Sequence, residues 1–81
     1  MFENVKFTKT ELRILSLLEI GENSEDVTNP YSGVVCHLDP TAVALHDYIK
    51  GCEMLGQYKY FDQARYLFAK LWPDEYMQLL D

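Results

Sequence analysis

The sequence predicts a mainly α-helical single domain of three to four helices, with an ordered loop and room for one minor two-stranded β element. Three observations lead there: a helix with readable ends between Asp39 and Gly56, a capping-box signature at Thr8 and Glu11, and a proline at position 73 that divides the last helical pattern in two. With 81 residues the chain makes one domain. A chain of that size buries only about 60–65% of its unfolded surface.

The central helix is expected over about 40–55. Asp39 is placed to accept hydrogen bonds from the free amides of a first turn, and Pro40 at the first helical position gives up only an N–H that had no partner. Leu45, Tyr48, Ile49 and Cys52 recur at i, i+3, i+4 and i+7, with Ala42 and Leu55 at the margins, so this face is core. Gly56 stands where a left-handed cap closes the helix. Gly51 inside it costs about 1 kcal/mol relative to alanine, which suggests a close approach of another backbone.

The remaining elements follow in chain order. Thr8 and Glu11 form the two halves of a capping box, with Phe7 and Leu12 spaced for a hydrophobic staple, so a first helix runs over about 9–20 and stops at Gly21. Its leucines and isoleucines wrap more than half the circumference, which implies a helix sandwiched in the core or shared with a partner. Residues 21–39 are irregular: polar and acidic first, then the turn-forming Asn29-Pro30-Tyr31-Ser32-Gly33, then a β-branched start at Val34. A strand over 33–38 is expected, pairing with residues 2–7. A third helix over about 60–71 buries Phe61, Ala64, Phe68, Leu71 and Trp72, and leaves Asp62, Tyr66 and Lys70 as an outer row. Pro73 ends it, and a fourth helix over 73–80 presents Tyr76, Leu79 and Leu80.

Charge and composition exclude several functions. The net charge is −6, and residues 21–39 hold Glu22, Glu25, Asp26 and Asp39 with no lysine or arginine. A nucleic-acid binder draws most of its affinity from a basic stripe, so direct nucleic-acid binding is not expected. No apolar run reaches the ~18 residues that span a bilayer; the longest, Leu12 to Ile20, is broken by Arg13, Ser16 and Glu19. Cys36 and Cys52 form no CxxC pair and no signal peptide is evident, so the chain reads as cytoplasmic, without membrane association. Aromatic residues make up 14% of the chain, more than so small a core absorbs. A homodimer or higher homo-oligomer is the natural expectation.

The chemistry-bearing residues do not form an active-site pattern. His46 and Cys52 are six positions apart, about 240° around a helix, and neither C-x₂₋₄-C nor H-x₃₋₅-H intervals occur, so no metal is expected. The acidic run Glu22 to Asp26 lacks the calcium-loop pattern. Ser32, His37 and Asp39 lie in one short segment without a nucleophile elbow, and the glycines at 33, 51 and 56 fit neither phosphate-binding spacing. No catalytic residue, enzyme activity or cofactor is expected. Tyr58-Lys59-Tyr60-Phe61 interleaves aromatics with one base, and is better read as cover for the turn between the second and third helices.

Asn29-Pro30-Tyr31-Ser32-Gly33, then Leu38-x-Pro40, Ala44-Leu45-x-Asp47-x-Ile49-x-Gly51 and the ending Tyr76-Met77-x-Leu79-Leu80-Asp81 resemble short proteins of unassigned function encoded in tailed-phage genomes. The resemblance covers residues 29–81 and brings no activity or site with it. It implies a setting in the host bacterial cytoplasm, where small acidic helical proteins often bind and block a host factor. The expected function is therefore a non-enzymatic protein-binding module, a phage-encoded modulator or inhibitor of a host factor. Its partner-binding residues are expected to be Asn29, Tyr31, Ser32 and His37 of the long loop together with the outward Tyr66. Two alternatives stand beside it: an acidic DNA mimic that inhibits a nucleic-acid enzyme, with residues 22–26 aligned with Asp39, Asp74 or Glu75, and a small-ligand (nucleotide) binder at a subunit interface.

Overall fold

The computed structural model describes residues 5–80. Along the chain run α1 (Lys9–Leu17), β1 (Glu25–Thr28), β2 (Val35–Leu38), α2 (Pro40–Leu55), α3 (Phe61–Leu71) and α4 (Pro73–Leu79). The fold is thus mainly α, with four helices and one small antiparallel β pair among the described residues.

α2 begins and ends as its sequence dictates. The Asp39 carboxylate accepts from the Ala42 amide at 2.8 Å. At the other end Gly56 takes φ 67°, a left-handed conformation that suits glycine, and Gln57 N–H returns to the Cys52 carbonyl at 2.9 Å. Nothing lies within 4 Å of a β-carbon built on Gly51, so the expected close approach of another backbone is absent.

The capping box of α1 also forms: Thr8 Oγ1 accepts from the Glu11 amide at 3.1 Å, and Glu11 Oε1 accepts from the Thr8 amide at 2.9 Å. What the spacing does not reveal is that Glu11 is buried and that Lys70 of α3 donates to the same Oε1 at 2.7 Å. Lys70 Nζ donates as well to the Lys6 carbonyl at 3.2 Å. One ammonium therefore ties the chain before α1 and the first turn of α1 to the last turn of α3. Burial alone would raise the Glu11 carboxyl pKa, but the bonds from Lys70 and Thr8 outweigh it and bring it below its ordinary value of 4.5.

α1 is shorter than expected. It stops at Leu17 rather than Ile20, with Leu18 already extended at ψ 140°. Ser16 Oγ donates to the Arg13 carbonyl at 2.6 Å, a side-chain bond that competes with the helical ladder where the helix frays. The helix is also not sandwiched: Ile14 is fully buried, whereas Leu12, Leu17 and Ile20 stand about half exposed. Phe7 packs against the core while Leu12, expected to staple it, does not share its burial.

The β pair also differs from expectation. β2 pairs with β1, in register Glu25↔Leu38, Asp26↔His37, Val27↔Cys36 and Thr28↔Val35. Residues 5–7 form no strand, and residues 2–4 of the expected partner lie outside the described residues. A hairpin joined by a short turn closes a far smaller loop than pairing to the N-terminus would, so local pairing is favoured entropically.

The core gathers around Phe68 and Leu67 of α3, which meet Leu45 and Ile49 of α2, Ile14 of α1, Leu38 of β2 and Leu79 of α4. Trp72 leans on Phe68 with ring centroids 5.2 Å apart. Among the described residues no helix is long and apolar enough to cross a membrane.

Among the described residues, His46 alone has a buried side-chain polar atom left without a bond. Its Nδ1 is buried with no hydrogen-bond partner, and the Asp47 carboxylate at 3.8 Å is too distant to supply one. Burial, reinforced by Lys50, pushes the His46 pKa below its ordinary 6.5, against a smaller opposing pull from Asp47. The unfolded chain then takes up the His46 proton first as pH falls. Stability that is full above pH 6.5 is lost below it, and the Glu11 contribution is lost in a second step below pH 4.5. Urea unfolding should show a falling midpoint between about pH 7 and pH 5.5, and His46→Leu should flatten that slope; parallel slopes in the two proteins would contradict the assignment. Because the space at Gly51 is open, Gly51→Ala should raise stability by about 0.5–1 kcal/mol, read from the same transitions.

Candidate functional site

The turn joining β1 to β2 is built by Asn29. Its Oδ1 accepts from the amides of Tyr31 at 2.8 Å and Ser32 at 3.3 Å, and its carbonyl accepts from Gly33 N–H at 2.9 Å. Ser32 Oγ accepts from the Val34 amide at 3.3 Å. Gly33 takes φ 77°, open to glycine at no steric cost. Pro30 has no amide, so every amide from position 31 to 34 is satisfied within the turn. The turn is fixed by its own sequence.

Two further bonds fix the hairpin on the helices. Asn29 Nδ2 donates to the Gln78 carbonyl of α4 at 2.7 Å, and the buried Cys36 thiol donates to the Gln78 side-chain oxygen at 3.1 Å. Burial, with the charge of Glu75 nearby, raises the Cys36 pKa, so the thiol keeps its proton and its donor role. On the opposite face of the hairpin His37 Nδ1 meets Asp26 Oδ1 at 2.8 Å across the strands, both side chains exposed.

This scaffold holds the Tyr31 ring in water: it is 97% exposed, on a turn whose amides are bonded. Beside it lies a cleft of about 270 Å³ between α2, α3 and the end of α4. Ile49 and Leu79 form its apolar floor and Phe61 and Leu80 its sides. Lys50, Glu53 and Arg65 supply its charge. The Arg65 guanidinium stands 5.6 Å from the Phe61 ring centroid and 5.9 Å from that of Tyr76, and donates to the Tyr76 hydroxyl at 3.1 Å. Contacts with two rings and a hydroxyl restrict the orientations open to the guanidinium.

The five residues singled out by sequence are thus only partly brought together. Asn29, Tyr31 and Ser32 share the turn, Asn29 and Ser32 as its framework and Tyr31 as what it displays. His37 is further down the hairpin and is engaged with Asp26. Tyr66 is 73% exposed but borders a separate depression, with Asp62 and Tyr76; Arg65 touches both hollows. Sequence reasoning missed Arg65, Lys50 and Gln78. The spacing of Phe61 and Arg65 at i, i+4 was the available signal for the first; nothing local marks Gln78, whose partners lie more than forty residues earlier.

The other chemistry-bearing residues are dispersed. Asp39 caps α2, His37 pairs with Asp26, Cys36 bonds Gln78, and His46 and Cys52 lie in the core. Among the described residues no three His, Cys, Asp or Glu side chains gather as metal ligands would. No protein-family model, curated protein or solved structure matches the chain.

Proposed function

We propose that this chain is a small non-enzymatic protein-binding module whose contact surface is the Tyr31 turn and the cleft beside it. The observation that supports the reading is an aromatic ring almost wholly in water on a turn whose amides are all bonded. A tyrosine presented rigidly loses little entropy on binding and supplies a large amphipathic contact, the qualities of an interface anchor. The resemblance to tailed-phage proteins supplies the setting for this proposal: a host or phage protein as partner, met in the bacterial cytoplasm. Leu12, Leu17 and Ile20, half exposed along and after α1, give the proposed homodimer a face of its own, separate from the Tyr31 cleft.

A second reading, the acidic mimic of DNA, draws support from another depression. Glu19, Glu22, Glu25 and Asp47 line one hollow of about 230 Å³ whose wall carries no lysine or arginine. Its membership differs from the expected strip, since Asp47 of α2 joins the loop acids and Asp39, Asp74 and Glu75 do not line it.

Photo-crosslinking separates the two. With benzoyl-phenylalanine at position 31 a discrete covalent product should form in bacterial lysate, persist at high salt, and be missing when the probe replaces Asp47. A product only at position 47, abolished by salt, would favour the mimic, because screening weakens exposed charge contacts. No product at either position would count against both.

A further inference from the structure

We infer that the cleft beside Tyr31 receives the C-terminal residue of a partner chain, an apolar side chain on its floor and the terminal carboxylate against Arg65 and Lys50. The inference rests on the protein-binding reading and names the chemistry of the partner. The molecule carries −6, yet among the described residues this cleft is bordered by two cations and one carboxylate, Lys50 and Arg65 against Glu53. The hollow bordered by Glu19, Glu22, Glu25 and Asp47 has the opposite character. A positive margin on an acidic protein selects an anion.

The geometry narrows which anion. The Arg65 guanidinium lies 5.6 Å from the Phe61 ring centroid and 5.9 Å from that of Tyr76, and its bonds to Tyr76 Oη at 3.1 Å and the Leu80 carbonyl at 3.5 Å go to neutral acceptors. No carboxylate of the described residues pairs with it, and since both of these bonds leave from Nη2, Nη1 and Nε remain to donate to a charged acceptor. Lys50 is only loosely paired, 3.8 Å from Glu53. The floor between these cations is apolar, with Ile49 and Leu79 buried beneath it. At about 270 Å³ the space lies below the range of drug-sized ligand pockets and suits one residue. An apolar side chain and a carboxylate on one residue is the chemistry of a chain's C-terminus, and Tyr31 at the rim is placed to cover the residue before it.

The test uses N-acetyl-leucine as probe and N-acetyl-leucinamide as its uncharged counterpart, titrated into the full chain labelled with ¹⁵N. The carboxylate should give saturable shifts at the amides of Lys50, Phe61 and Arg65, and the amide should bind about tenfold more weakly or worse. Arg65→Met should weaken the carboxylate to the level of the amide; if that variant fails to fold, Lys50→Met gives the same comparison from the half-exposed side of α2. Equal binding of the two probes, shifts confined to other residues, or no saturation would overturn the inference. A crosslink at position 31 without probe binding would sink the carboxylate inference alone, whereas probe binding without a crosslink would sink the protein-binding reading.

Discussion

The Asn29 side chain is the constraint on which the exposed half of this molecule depends. Its oxygen closes the turn that presents Tyr31, and its nitrogen fastens that turn to the Gln78 carbonyl near the end of α4. An isolated two-stranded hairpin is marginally stable at best in water, so β1 and β2 need that attachment to hold one position. The Cys36 thiol adds a second bond to the same glutamine. Two residues of the hairpin thereby read one residue of α4, and the turn comes to rest beside the cleft that Leu79 and Leu80 help to line.

The helical half is held by different means. A small chain has little interior, and here part of it is polar: Glu11 and His46 are both buried. Glu11 is compensated by its cap and by Lys70, and in return ties α1 to α3 through one carboxylate oxygen. Its worth is mainly geometric, since a buried ion pair gains little over a well-packed apolar pair and costs heavily only when one partner is removed. His46 has no such compensation and pulls the other way, making the core sensitive to acid. The apolar cluster that α1, β2, α2, α3 and α4 share around Phe68 is therefore the main source of stability.

How much of this was legible follows from the range of each interaction. The N-cap of α1, both caps of α2, the break at Pro73 and the inner faces of α2 and α3 are written within a few residues of where they act, and they form, except that Leu55, read at the margin of the α2 face, stands 73% exposed in its last turn. The partner of β2 was misread because alternation marks a strand without saying what it pairs with; Glu25 to Thr28 looks like solvated loop, and only Val27 turns inward. The end of α1 was misread because Gly21 looked like the stop, while Ser16 acts earlier. At the candidate site the Asn-Pro-Tyr-Ser-Gly turn was visible as letters. The cleft was not, since Lys50, Arg65 and Leu79 reach it from three helices.

The bonds of Asn29 make the Tyr31 turn a platform beside a positively bordered cleft, in a protein that is acidic elsewhere. If the turn were loose, exposure of Tyr31 would be no more than an ordinary loop aromatic in water, and neither the anchor nor the cleft argument would have a fixed geometry to work with. The most direct measurement is the ¹⁵N order parameter of Tyr31, Ser32 and Gly33 in the free protein. Values of about 0.85, matching α2, are the result the bonded turn predicts, with a clear fall on Asn29→Ala; values below about 0.6 in the unaltered chain would contradict it.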